Sequence, residues 1–395
     1  MNRIQMIHRK PARQPDATHP FGVRAAQEAL AFHRSMPSYC ETPLFSLRAL
    51  ARALDVASIH VKDESQRFDL NAFKVLGGSF CISRILAERF DLPKADFAAL
   101  TQPELRAAIR GITFVTATDG NHGRGVAWTA NRLGCGCVVY MPRGSACERL
   151  ENIRALGADA AITDMNYDDT VRFARAQAQK NGWVLVQDTA WDGYTEIPTR
   201  IMQGYTTMGC EIAAQLGGLR PTHIFLQAGV GAMAGAMADF FMDLYRGAPP
   251  VITVVEPLNA DCIFRTAATN DGRLHSVGGD LRTIMAGLAC GEPCSVGWEM
   301  LARSAQNYVS MPDYVAANGM RILACPLDGD PRIVAGESGA SGFGFAAEVL
   351  RNPELSQMKA QLGLNAQSRL LCISTEGATD RANYRSVVWD GAYAK

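Results

Sequence analysis

Apolar and polar positions along this chain fall into two alternating patterns, short β-branched runs and longer stretches with helical spacing. Strand-like runs stand at 58–62, 112–116, 137–141, 160–163, 184–187, 224–227, 251–255 and 370–374. Helical spacing fills the gaps at 75–90, at 124–133, at 146–156 closed by Gly157, and at 168–180 stopped by Asn181-Gly182. A long helix is expected from about 197 to 216, and another from the glycine-rich turn near 231 through Tyr245. Strands alternating with helices predict an α/β fold built on a largely parallel sheet. There is no internal repeat and no low-complexity segment.

Composition narrows the function classes. At 395 residues and 48% hydrophobic, the chain can bury a large core and is expected to form about two domains. Lysine plus arginine and aspartate plus glutamate both number 39, so there is no electrostatic footprint for nucleic acid or an anionic membrane. No apolar run reaches the ~18–20 residues of a membrane span. The basic stretch 1–14 lacks the apolar core of a secretory signal. Eleven cysteines, with Cys135 and Cys137 too close for a CxxC site, point to free thiols in a reducing cytoplasm and to no metal. The expected partner is a small molecule, with neither nucleic acid nor a membrane involved.

The chemistry begins at Asn71-Ala72-Phe73-Lys74, which sets one lysine at the start of the 75–90 helix among small and apolar neighbours. Desolvation and the positive end of a helix both disfavour an ammonium there. A neutral amine is what Schiff-base chemistry with an aldehyde requires. About 45 residues on comes the polar turn Thr118-Asp119-Gly120-Asn121-His122-Gly123. Later still, Gly229-Val230-Gly231-Ala232-Met233-Ala234-Gly235 offers a turn able to cradle a phosphate. That order suggests pyridoxal 5'-phosphate. The turns 118–123, 188–192, 229–235 and 374–377 all follow strands, where open parallel sheets bind ligands, so one shared pocket is expected. Taken singly, each signal has a plainer reading. Most lysines are solvated, Asn121 suits a left-handed turn position, and turn aspartates commonly cap helices. The glycine loop fits a dinucleotide fingerprint equally well, with Glu256 about 25 positions on.

Several segments together carry a closer likeness: Val61-Lys62-Asp63-Glu64-Ser65 with Leu70 to Lys74, Thr118 to Trp128, Thr163 to Thr170, Gln187 to Trp191, Leu226 to Gly235, Ile284 to Pro293, and Ile373 to Gly377. Over roughly residues 40–390 the chain resembles the fold type II, tryptophan-synthase-β-like, pyridoxal phosphate enzymes, and more narrowly the diaminopropionate ammonia-lyases. The resemblance implies two open, twisted, mostly parallel sheets flanked by helices. It also implies a large domain from 1–74 and 205–395, and a small, mobile domain from 75–204. Lys74 would attach the cofactor, and Gly229, Val230, Gly231, Ala232 and Met233 would hold its phosphate. Asn121 would lie beside its phenolic oxygen, and Ser374 or Thr375 would bond its pyridine nitrogen. A neutral hydroxyl there leaves the nitrogen largely unprotonated, which suits elimination more than transamination. Cys262 and Cys290 fall in family-like segments and read as buried thiols.

One departure from the broader family sets the expected substrate. Serine and threonine dehydratases have a small neutral residue where this chain has Asp119, and Asp188 is a second carboxylate. Two carboxylates near one Schiff base suit a substrate with a second amino group, 2,3-diaminopropionate. The resemblance assigns Lys74 as base for one enantiomer, Asp119 as base for the D form, and Asp188 to orientation or proton transfer. A carboxyl raised by burial would suit base chemistry near neutral pH. Thr118, Gly120 and His122, with Asp119 and Asp188, would bind the substrate. The expected activity is that of a carbon–nitrogen lyase yielding pyruvate and two ammonia. The rivals are a serine or threonine dehydratase and a non-catalytic cofactor- or dinucleotide-binding protein.

Overall fold

The computed structural model describes residues 3–12, 18–118 and 120–395. Its strands are β1 (Gln5–His8), β2 (Leu44–Ser46), β3 (Ser58–Asp63), β4 (Thr113–Ala117), β5 (Gly136–Met141), β6 (Asp159–Ile162), β7 (Val184–Leu185), β8 (His223–Gln227), β9 (Val251–Pro257), β10 (Asn307–Met311) and β11 (Arg369–Ser374). They form two sheets. One has seven strands in the order β1-β10-β9-β8-β11-β3-β2, and the other has four in the order β6-β5-β4-β7. The four-stranded sheet is parallel throughout. In the larger sheet only the outer strands run antiparallel, β1 beside β10 and β2 beside β3. Residues 113–185 supply every strand of the smaller sheet. The fold is α/β, and no helix of the described residues is long and apolar enough to cross a membrane.

Three expected elements differ in detail. The long helix of 197–216 is two, Glu196–Tyr205 and Thr207–Gln215. The Thr206 hydroxyl donates to the Gln203 carbonyl at 2.5 Å, a local bond that competes with the helical ladder and bends it. The helix expected from 124 starts at Asn121, because Thr118 Oγ1 accepts from the amides of Gly120 and Gly123 and caps it. Strand β7 stops at Leu185, two residues early, since the Gln187 side chain takes over the bonding to β4. No disulfide forms among the described residues, and Cys262 is buried as expected whereas Cys290 is only partly so.

Helix Val75–Arg89 packs against helices Asn121–Leu133 and Glu196–Tyr205 at backbone distance. A Cβ at Gly204 would lie 2.3 Å from the Leu76 carbonyl oxygen, and one at Gly125 would lie 2.8 Å from Val75 Cα. Glycine is required at both crossings.

Just ahead of that helix, β3 ends in a buried charge cluster. Lys62, Glu64, Arg67 and Glu211 have almost no solvent exposure. Lys62 Nζ stands 2.6 Å from Glu211 Oε2, and the Arg67 guanidinium bridges Glu64 at 2.8 Å and Glu211 at 2.7 Å. Beyond it the backbone takes positive φ at Phe68, Asp69 and Asn71. The segment 71–73 then pairs with the end of β11. Ala72 bridges Glu376, Phe73 N donates to Thr375 O at 3.1 Å, and Gly377 N donates to Asn71 O at 3.0 Å.

Glu211 holds two cations at once, so its removal leaves Lys62 buried without a counter-charge and Arg67 with Glu64 alone. Glu211→Ala should lower unfolding free energy by about 3–5 kcal/mol, read from urea denaturation at neutral pH. A loss below about 1 kcal/mol would show that the cluster does not hold this region together.

Candidate active site

Turns following β4, β7, β8 and β11 converge on one cavity. Thr118, Asn121 and His122 reach it from the first turn, Asp188 from the second, Gly229 to Met233 from the third, and Thr375 and Glu376 from the fourth. Gly120 shapes the first turn without lining the cavity. Its φ of 147° is one that side-chain-bearing residues rarely adopt, and a Cβ there would meet Arg149 Cδ at 3.0 Å. Asp119 lies outside the described residues. The Asn121 amide donates to the buried Glu376 carboxylate. His122 faces the Val186 carbonyl through Nε2 at 2.8 Å, and its Nδ1 lies 3.9 Å from Asp188 Oδ2.

Lys74 immediately precedes helix Val75–Arg89. The ring of its neighbour Phe73 packs against that of Tyr205 with centroids 4.7 Å apart. Apolar surroundings alone had suggested an amine left uncharged, but the structure sets Lys74 Nζ in an ion pair with Asp188. Asp188 is placed by its neighbour. Gln187 accepts from Ala117 N at 3.0 Å and donates to Ala117 O at 3.0 Å, clamping the end of β7 to β4. Burial by itself would raise the Asp188 carboxyl. The charges of Lys74 and His122 and the bond from Lys74 outweigh it and hold the group at about 2. At neutral pH Asp188 beside Lys74 is therefore an anion.

On the opposite wall, β8 runs into Gly229-Val230-Gly231 and the helix Ala232–Leu244. Gly231 has a left-handed φ of 89°. A Cβ on Gly229 would stand 3.1 Å from Cys290 Sγ and 3.2 Å from the Gly287 carbonyl oxygen. The backbone therefore lies open to the cavity, and the first amides of the helix have no intrahelical acceptors. That is an anion cradle. Thr375 lines the cavity, whereas Ser374 does not; its hydroxyl turns to the Glu376 carbonyl at 3.4 Å.

Known proteins with this arrangement can now be compared. The family model for "Pyridoxal-phosphate dependent enzyme" matches residues 36–362. The chain belongs to the pyridoxal-phosphate dependent enzyme family. Within it, the chain is 50% identical to the diaminopropionate ammonia-lyase of Escherichia coli K12 over 377 residues, covering 95% of this chain and 94% of that one. The Salmonella typhimurium diaminopropionate ammonia-lyase is 49% identical over 373 residues, 93% of this chain and 92% of that one. The holo crystal structure of the Escherichia coli enzyme superposes with a TM-score of 0.93 at 47% identity, covering 100% of this chain and 98% of that chain.

The cavity fits the family's cofactor on its own geometry. It joins an amine at Lys74, a turn whose bare glycine backbone leaves little room for side chains, and the Thr375 hydroxyl. The dinucleotide reading of the glycine loop fails at Glu256. That carboxylate is fully buried and accepts from the amides of Ile263 at 2.9 Å and Phe264 at 2.6 Å, so it caps a helix and cannot meet a ribose. Among the cavity residues given no role from sequence are Gln227, Tyr167, Ser338 and Glu376. Glu376 was within reach, as a charged residue directly after a strand-end hydroxyl. Gln227 had a weaker signal, a lone amide closing the apolar run Ile224-Phe225-Leu226. Tyr167 opens a helix and Ser338 sits in a loop, where nothing local marks them.

An unfolded aspartate titrates near about 3.9, above the value held here, so Asp188 stabilises the fold fully above that pH. The contribution fades as pH falls towards about 2. In cofactor-free protein Asp188→Asn should cost roughly 2 kcal/mol at neutral pH, with the gap to the parent narrowing between about pH 5 and pH 3. Urea denaturation across that range tests it. A pH-independent gap would show that Asp188 acts through packing instead.

Proposed function

We propose that this protein is a diaminopropionate ammonia-lyase whose reaction takes place between Lys74 and the turn at 118–122. It is a carbon–nitrogen lyase that uses pyridoxal phosphate to convert D- and L-2,3-diaminopropionate to pyruvate and two ammonia. The observation that carries the site assignment is the Lys74–Asp188 ion pair facing the glycine cradle across one cavity.

The roles follow from position. The amides around Gly229 to Met233 would hold the cofactor's phosphate, Lys74 its aldehyde carbon, Asn121 its phenolic oxygen and Thr375 its ring nitrogen. When bound, the cofactor supplies an electron sink for charge released at the substrate α-carbon. Lys74, once freed, removes the α-proton from one face. Asp119 would serve the other face. Asp188 would steady a cation, first Lys74 and then the substrate's second ammonium. Thr118, Gly120 and His122 would receive the substrate carboxylate at the start of helix Asn121–Leu133.

Residues 75–204 form a small domain set into a large one built from 1–74 and 205–395. Two separate sheets support this division. Closure of the small domain would exclude water while charge is exposed at the α-carbon. The working form is a cytoplasmic homodimer, a location that suits eleven free thiols. Sedimentation would then read twice the chain mass.

Pyruvate release should be fast with both isomers of 2,3-diaminopropionate and at least about tenfold slower, in kcat/KM, with D- or L-serine. Equal rates for serine would shift the assignment to a dehydratase. Asp119→Asn keeps size and hydrogen bonding while removing the base. It should cut D-isomer turnover by about 10²–10⁴-fold and L-isomer turnover much less. Equal losses would mean that Asp119 binds the second ammonium and leaves the proton alone.

A further inference from the structure

Gln227, the last residue of β8, is 1% exposed and reaches the cavity beside Thr375. Its Nε2 lies 2.8 Å from the Ile373 carbonyl oxygen and 3.0 Å from Thr375 Oγ1. A carbonyl can only accept, so the amide must turn its NH2 end this way. One N–H then goes to Ile373 and the other to Thr375. Thr375 Oγ1 is thereby an acceptor from Gln227, and its own proton meets no acceptor among the described residues. The far end of the amide agrees. Gln227 Oε1 is buried without a hydrogen-bond partner, pressed against Gly342. An aliphatic residue of similar size would avoid that cost, so the amide is kept for its donor end.

We propose that Gln227 is a positioning residue that forces the Thr375 hydroxyl to donate into the cavity. The inference rests on the reading above that Thr375 faces the cofactor's ring nitrogen. A hydroxyl can donate or accept. Donating, it occupies the nitrogen's lone pair and opposes a proton there. Accepting, it welcomes a protonated nitrogen and strengthens the ring as an electron sink. Thr375 alone leaves both options open, and Gln227 removes the second. The strength of the electron sink is thus set one residue away from the ligand.

The test loads the holoenzyme and its variants with pyridoxal phosphate labelled with 15N in the ring, and follows that resonance from about pH 6 to pH 9. Wild type should hold the unprotonated position throughout. Gln227→Leu frees the hydroxyl to rotate. Gln227→Glu, neutral when buried, needs its single proton for the Ile373 carbonyl and would take the Thr375 proton in return. Both should raise the apparent pKa of the ring nitrogen by about one unit or more, the tenfold that an ordinary hydrogen bond carries. Should the carboxyl of Gln227→Glu prevent folding, the uncharged Gln227→Leu keeps the test intact. Thr375→Val separates the two layers. If it moves the resonance while both Gln227 variants match wild type, Thr375 orients itself and the proposal falls, with the ring-nitrogen reading left standing. If all three match wild type, or if wild type is itself protonated, the reading of Thr375 falls as well.

Discussion

Four charged side chains with almost no solvent exposure, Lys62, Glu64, Arg67 and Glu211, meet beneath the segment that delivers Lys74. Burying charge is expensive, and a well-packed apolar cluster would often be as stable. What the charges supply is geometry. Between Arg67 and Lys74 the backbone passes through three side-chain-bearing residues with positive φ, each costing about 1 kcal/mol or more. Such a path persists only when both ends are fixed. The ion cluster fixes one end, and pairing of 71–73 with 375–377 fixes the other. Lys74 and Thr375 therefore belong to one rigid unit, and the spacing between the amine and the hydroxyl is built into the fold.

The Lys74–Asp188 pair then ties this unit to the smaller sheet, since Asp188 follows β7 and is clamped to β4 through Gln187. Its charge balance bears on substrate choice. With Lys74 engaged elsewhere, the Asp188 anion is left facing the His122 ring, 3.9 Å away. On the proposed reading a substrate's second ammonium would restore the balance, whereas serine would bring a hydroxyl and leave the anion uncompensated. Discrimination of this kind works through the penalty on the wrong partner more than through extra contacts with the right one.

The alternation of strands and helices was legible because parallel strands buried on both faces read as continuous apolar runs, as in Ile224-Phe225-Leu226. The turn positions were legible for a related reason, since glycine and polar residues have few other places in such a pattern. The antiparallel edge strands β1 and β2 were not, and neither was the buried strand β10. β1 and β2 are short and half-exposed, and nothing in their composition separates them from loop. The break at Thr206 turns on one hydroxyl choosing a local carbonyl, a choice that spacing does not encode. Of the cavity, lining residues such as Lys74, Asn121 and the 229–233 loop were readable from motif chemistry. Gln227 and Glu376 were not given roles, because their work depends on partners far away in sequence, Thr375 and Asn121.

Those partners reveal a common construction. Asp188 is positioned by Gln187, Thr375 is bonded by Gln227, and Asn121 is bonded by Glu376. In each case a buried amide or carboxylate at or beside a strand end fixes a cavity-facing side chain. Successive side chains at a strand end point opposite ways, so a residue that faces the cavity has a neighbour aimed back into protein. Gln187 and Asp188 use that alternation directly, and Gln227 uses it across the hydrogen-bonded pair β8 and β11. A hydroxyl or amide left to solvent can change hydrogen-bonding sense at little cost. One held against a buried partner cannot, because reversal would set donor against donor or acceptor against acceptor. The polarity of this cavity is therefore a property of the sheets behind it, and a ligand meets a fixed pattern of donors to which it must conform.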